Sequence, residues 1–128
     1  LRCKSEFLID LIESSLQEII VVLELEVNIL RSSQLQIDRH LAGQERILEI
    51  CRSFNAARYI NPISGESLYS TADFFRYGID LTFIRSRAPA YGQFEEGFVS
   101  NLSIIDVLMF NDHRSRSKLL NQFDLTSC

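Results

Sequence analysis

The apolar residues of this chain switch repeatedly between the period of a helix and the period of a strand, and that alternation constrains the fold more than any motif does. Leu8, Leu11, Ile12, Leu16, Ile19, Ile20 and Leu23 recur at helical spacing behind Ser5, a side chain that can cap the first turn. Val27-Asn28-Ile29-Leu30 is short, mostly apolar and partly β-branched, which predicts a buried strand, and it ends in Arg31-Ser32-Ser33. After a loop over residues 34 to 42, a second helix is predicted from Gly43 to Phe54, with Ile47, Leu48, Cys51 and Phe54 inward. Ala57 to Ile60 reads as a second strand, closed by Asn61-Pro62-Ile63-Ser64-Gly65, where proline forbids ladder pairing and glycine turns the chain.

Ser70-Thr71-Ala72-Asp73 has the capping-box pattern of a short third helix carrying Phe74 and Phe75, which Gly78 ends. Ile79 to Ile84 then alternates as a third strand and closes on Arg85-Ser86-Arg87. A loop with Pro89, Tyr91, Gly92 and Gly97 leads to a second capping box, Ser103-Ile104-Ile105-Asp106, ahead of Val107, Leu108 and Phe110. A last helix is expected over residues 114 to 123. This order predicts one α/β domain over residues 1 to 128: a Rossmann-like three-layer sandwich whose small, mainly parallel sheet of about three strands is flanked by helices. So small a sheet has open edges, so a covering partner is expected there, either a second copy of the chain or a further part of the same protein.

At 128 residues, 46% of them hydrophobic and 23% charged, the chain has the composition of an ordinary soluble domain. A net charge of -4 without a basic face disfavours nucleic acid as a partner. The longest apolar run, Ile19 to Leu23, stops at Glu24, too short for a membrane span, so no membrane partner is expected. Cys3, Cys51 and Cys128 form no CxxC pair and their odd number argues against a disulfide framework, which fits a reducing, cytoplasmic setting. The opening LRCKSEF lacks both an initiator Met and a secretory leader, which reads as a piece of a longer protein.

In an open parallel sheet, ligands bind beyond the carboxyl ends of the strands. All three predicted strand ends here are polar: Arg31, Ser32 and Ser33 follow the first, Asn61 and Ser64 the second, Arg85 and Arg87 the third. Their guanidinium, hydroxyl and amide groups, gathered on one rim, would suit an anionic small molecule. The same residue types are also ordinary turn formers, helix caps and solvated charges. In Phe98 to Asn111, Ser103 and Asp106 are explained by capping, whereas Asn101 lies ahead of the box, where its amide would face a ligand beside the Ser103 hydroxyl.

No other constellation competes with that rim. His40 and His113 have no ligand spacing for zinc, so no metal is expected, and His40 has no nucleophile to serve as a base. Cys51 falls on an apolar helix face, where a buried thiol is inert. Glu95 and Glu96 are adjacent in a loop and diverge, unlike a glycosidase pair. Neither GxxxxGK[ST] nor GxGxxG occurs, and no cofactor is implied.

Four segments in order, Leu30 to Leu35 (LRSSQL), Arg46 to Tyr69 (RILEICRSFNAARYINPISGESLY), Gly78 to Ile84 (GIDLTFI) and Gly97 to Asn111 (GFVSNLSIIDVLMFN), make the chain resemble the WbqC-like family over most of residues 6 to 123. The part resembled is the carboxyl-terminal half, since nothing like the family's amino-terminal MQPYFFP-type motif occurs here. The chain departs from the family pattern at Ser100, where a proline is common, and at Asn61 to Gly65, where the turn is usually richer in glycine. The resemblance implies a bacterial transferase of surface-polysaccharide biosynthesis that modifies a sugar or nucleotide-sugar, with aminoacyl (glycyl) transfer as one form, and it implies that the other half covers the sheet edge. It assigns no catalytic residue. The competing expectation is a non-catalytic ligand-binding or assembly module.

Overall fold

The computed structural model describes residues 6–87, 89–94 and 97–127. Helix α1 (Leu8–Val22) starts after Phe7, whose side chain makes no cap, and Ser5, the expected cap, lies outside the described residues. Glu24, at φ 53°, ends it in the left-handed region. Helix α2 (Gly43–Ser53) buries Leu48 and Cys51 as its apolar spacing predicts, but Phe54, expected inward, stands just past its end and is half exposed. Strand β1 (Arg58–Pro62) passes through a 3-10 turn (Ile63–Leu68) into helix α3 (Thr71–Arg76), where Ser70 Oγ accepts from the Asp73 amide at 3.4 Å. Strand β2 (Asp80–Ser86) follows, then helices α4 (Ile104–Phe110) and α5 (His113–Leu120), and finally strand β3 (Phe123–Ser127).

The sheet order is β1-β2-β3, with β1 parallel to β2 (Tyr59 opposite Leu81) and β3 antiparallel to it (Thr126 opposite Phe83). The α/β class and the small sheet flanked by helices agree with the alternating pattern, but the sheet is mixed where a mainly parallel one is expected. The difference has a local cause. Residues 27–30 form no strand; the next residue, Arg31, is held against α1 by Asp10 and Glu13, which returns the segment to the helix it has just left. The third place in the sheet goes to Phe123-Asp124-Leu125-Thr126-Ser127, whose alternation is too brief to stand out at the end of a helical run.

The core lies on one face of the central strand. Phe74, Leu81 and Phe83 are almost fully buried and pack with Leu48, Cys51 and Ile79. Tyr59 stacks on Phe74 with ring centroids 5.5 Å apart, and Tyr69 meets both rings edge-on. On the opposite face Thr82 is buried, its hydroxyl 3.3 Å from Asp80 Oδ2, while Ile60 and Leu125 stay exposed. Cover is therefore unequal between the two faces. None of the described helices is long and apolar enough to cross a membrane.

Candidate functional site

Beyond the carboxyl end of β2 the chain leaves the sheet at Ser86 and returns to it at Phe123. The excursion between them encloses a cavity of about 270 Å³. One wall is the segment with Pro89, Tyr91, Phe98, Asn101 and Leu102; another is α4 with Ile104 and Val107; the third is α5 with Arg116, Leu119 and Leu120, and Leu23 and Ser86 complete the lining. Apolar walls with a few polar groups are the usual make-up of a small-molecule site. The volume lies just below the roughly 300–1,000 Å³ typical of such pockets, room for one sugar ring or small acyl unit.

The first wall is braced from within. Tyr91 Oη donates to Asp106 Oδ2 at 2.7 Å, and Gln93 Nε2 donates to the same oxygen at 2.9 Å. The Gln93 side chain also bonds the Val99 backbone from both sides, accepting from its amide at 2.8 Å and donating to its carbonyl at 3.2 Å. Tyr91 meets Phe98 edge-on at 5.0 Å. Its bond to the Asp106 carboxylate raises the phenol above its usual range, so near neutrality Tyr91 is a proton donor and not a base. Asn101 reaches its place on the wall through a left-handed backbone, φ 59°, a conformation asparagine tolerates better than most residues.

Arg116 brings a cation to the third wall. Its Nη2 donates to the Leu108 carbonyl at 2.5 Å, tying α5 to α4, while its Nε is buried with no hydrogen-bond partner among the described residues. A buried unpaired donor costs roughly 1–3 kcal/mol, more when charged.

The residues singled out from sequence scatter. Asn101 lines the cavity. Ser103, next to it, spends its hydroxyl on the Ile105 amide at 3.2 Å. Arg31 follows no strand and is spent on α1: Nε meets Glu13 Oε2 at 2.8 Å and Nη2 contacts both Glu13 and Asp10. Its guanidinium pKa is raised by the Glu13 hydrogen bond first and the Asp10 bond second. Ser32 and Ser33 are exposed in a 3-10 turn, where the Ser32 carbonyl accepts from Arg46 at 3.3 Å. Asn61 accepts from Tyr59 Oη at 3.1 Å and donates to the Pro62 carbonyl at 3.2 Å; Ser64 is exposed in the turn that follows. Arg85 is exposed opposite Asp124, and Arg87 forms a two-pronged pair with that same carboxylate, Nε to Oδ2 at 2.9 Å. One rim built from three strand ends does not form, because the first of those strands is not in the sheet.

Sequence reasoning missed Tyr91 and above all Arg116. The signal for Arg116 was its spacing: it stands three and four residues before Leu119 and Leu120, on the apolar side of its helix. His40 is exposed, and His113 Nε2 lies 3.1 Å from Glu24. Cys51 is buried, which pushes its thiol pKa up. Glu95 and Glu96 lie outside the described residues. Among the described residues no group of three or more His, Cys, Asp and Glu side chains is arranged to hold a metal ion.

No curated protein and no solved structure matches this chain. The family model of the WbqC-like proteins does, over residues 1–118 of 128. That span is nearly the whole chain, where the resemblance was expected over residues 6 to 123, and it is not confined to a carboxyl-terminal half. The chain belongs to the WbqC-like protein family.

Proposed function

We propose that this chain is a transferase that modifies a sugar or nucleotide-sugar in surface-polysaccharide biosynthesis, and that the cavity beside β2 receives the sugar unit. What supports the reading is one observation: a cavity of about 270 Å³ lined by apolar side chains together with Asn101 and Arg116. An amide and an arginine among apolar side chains suit a polyhydroxylated ring that carries an anionic substituent. A whole nucleotide-sugar exceeds the cavity, so its nucleotide lies outside. In aminoacyl transfer, a sugar hydroxyl or amine would attack the carbonyl of an activated aminoacyl donor, lose its proton, and displace the donor's leaving group.

Thermal-shift titration against nucleotides, nucleotide-sugars and aminoacyl donors tests this. A ligand at 100 times its Kd stabilises the folded chain by about 2.7 kcal/mol. A nucleotide-sugar should raise Tm, and Asn101→Ala or the cavity-filling Leu102→Trp should abolish the shift. No response to any member of the panel would sink the proposal. The competing reading is a non-catalytic binding module. It is favoured by the commitment of Tyr91 to Asp106, which leaves the phenol engaged inside the wall. Binding without turnover when sugar and donor are supplied together would decide for it.

A further inference from the structure

We propose that α1 is a dimerisation surface, pairing antiparallel with α1 of a second copy of this chain. The first argument is area. A compact chain of 14.8 kDa should expose about 7,000 Å² by the scaling of surface with mass. This one exposes 10,014 Å². The excess, about 3,000 Å², is several times the roughly 800 Å² that each partner contributes to a standard interface.

Helix α1 contributes conspicuously to that excess. None of its residues is buried, although Leu8, Ile12, Leu16 and Ile19 recur every three or four residues, the spacing of a helix-pairing seam. Leu8 is 70% exposed, Ile12 and Leu16 44% each. A water-facing helix does not otherwise carry such a stripe.

Charge selects the occupant. The polar side of α1 holds Asp10, Glu13 and Glu18 and no Lys or Arg, so an anionic lipid surface would repel it. Arg31 offsets one of the two charges on Asp10 and Glu13 from behind, which leaves the helix acidic towards lipid while lowering the repulsion between two copies. The stripe is also self-complementary. With a two-fold axis at Ile12, Leu8 of one copy meets Leu16 of the other, and the reverse, as an isologous contact requires.

Sedimentation of the 128-residue chain should show a dimer at micromolar concentration, and Ile12→Glu with Leu16→Glu should weaken association about 100-fold, since each buries an unpaired charge. Circular dichroism must show the same folded spectrum for the double variant. Because that variant could unfold, a second measurement is independent of it. Ile12→Cys should crosslink two chains under mild oxidation above the level of the unsubstituted chain, whereas Val21→Cys, on another side of α1, should not. Each of three results would overturn the proposal: a monomer at tens of micromolar, equal crosslinking at both positions, or co-sedimentation of the wild-type chain with phosphatidylglycerol vesicles. None of these readouts involves the cavity, so the dimer and the ligand can fail separately.

Discussion

Tyr91 and Asp106 hold the cavity's outer wall to the start of α4: the phenol donates to the carboxylate at 2.7 Å, fifteen residues along the chain. Gln93 shares the same oxygen. This places the stability of a loop in the hands of one carboxylate. Tyr91→Phe should leave the sheet intact while the amides around Gln93 and Val99 exchange faster with solvent, measured by hydrogen–deuterium exchange. Unchanged exchange in that segment would mean that the Gln93 bonds to Val99 suffice.

Arg31 belongs to α1, and its loss should be felt there. Arg31→Ala leaves Asp10 and Glu13 adjacent without their shared cation, so α1 should fray and its amides lose protection. Arg31→Lys should restore little, because an ammonium does not reproduce a guanidinium that meets two carboxylates at once. Ligand affinity at the cavity should not change in either variant.

Gly65 is required for space. A Cβ there would stand 2.1 Å from Asn61 Nδ2, and that amide is held by Tyr59 and Pro62. Gly65→Ala should therefore displace Asn61 and cost about 1–3 kcal/mol, the usual range for overpacking. Urea denaturation should show a lower midpoint at unchanged slope.

Phe74 is completely buried between Tyr59 and Tyr69. Phe74→Ala should cost about 3–5 kcal/mol. Since domains are stable by only about 5–15 kcal/mol in all, this variant should be largely unfolded on mild heating.

Acid and alkali should act through different groups. Asp124, held below the usual carboxylate range by its hydrogen bonds to Arg87, contributes stability that is present above the unfolded carboxylate value and lost as pH falls through the lower folded one. Asp73 is lowered chiefly by Gln44 and Asp112 chiefly by the Ser115 amide, and both add to that acid limb. Tyr59 is raised, by burial first and by Tyr69 second, so its contribution is complete below the ordinary tyrosine value and fades as pH rises past it. Thermal melts should show a flat optimum between these limits. Arg87→Ala should reduce the steepness of the acid limb and leave the alkaline one unchanged.

The elements the sequence foretold best are those whose signal is local. Helix α2 and the Ser70 cap of α3 follow from residues within one or two turns of each other, and β2 from strict alternation. Val27 to Leu30 has the composition of a strand, yet strand pairing depends on a distant edge being free. Here the charge triad at Arg31 and the rival strand at Phe123 decided the outcome. The cavity was legible to the extent that Asn101 stood out. Arg116 was hidden because its neighbours Arg114 and Lys118 make α5 look like a solvated surface helix, and its meaning depends on Leu108, eight residues earlier.

The excursion that walls the cavity is fastened where it departs and returns. Arg87 bonds both the Gln122 carbonyl and the Asp124 carboxylate, 37 residues from it along the chain. A clasped loop of this kind can lengthen, shorten or change composition at little thermodynamic expense, because closure entropy grows only slowly with its length. Selection can therefore reshape what the hollow admits while Leu81, Phe83 and their neighbours go on folding the same three strands, and divergence among relatives should concentrate between the two ends of that clasp.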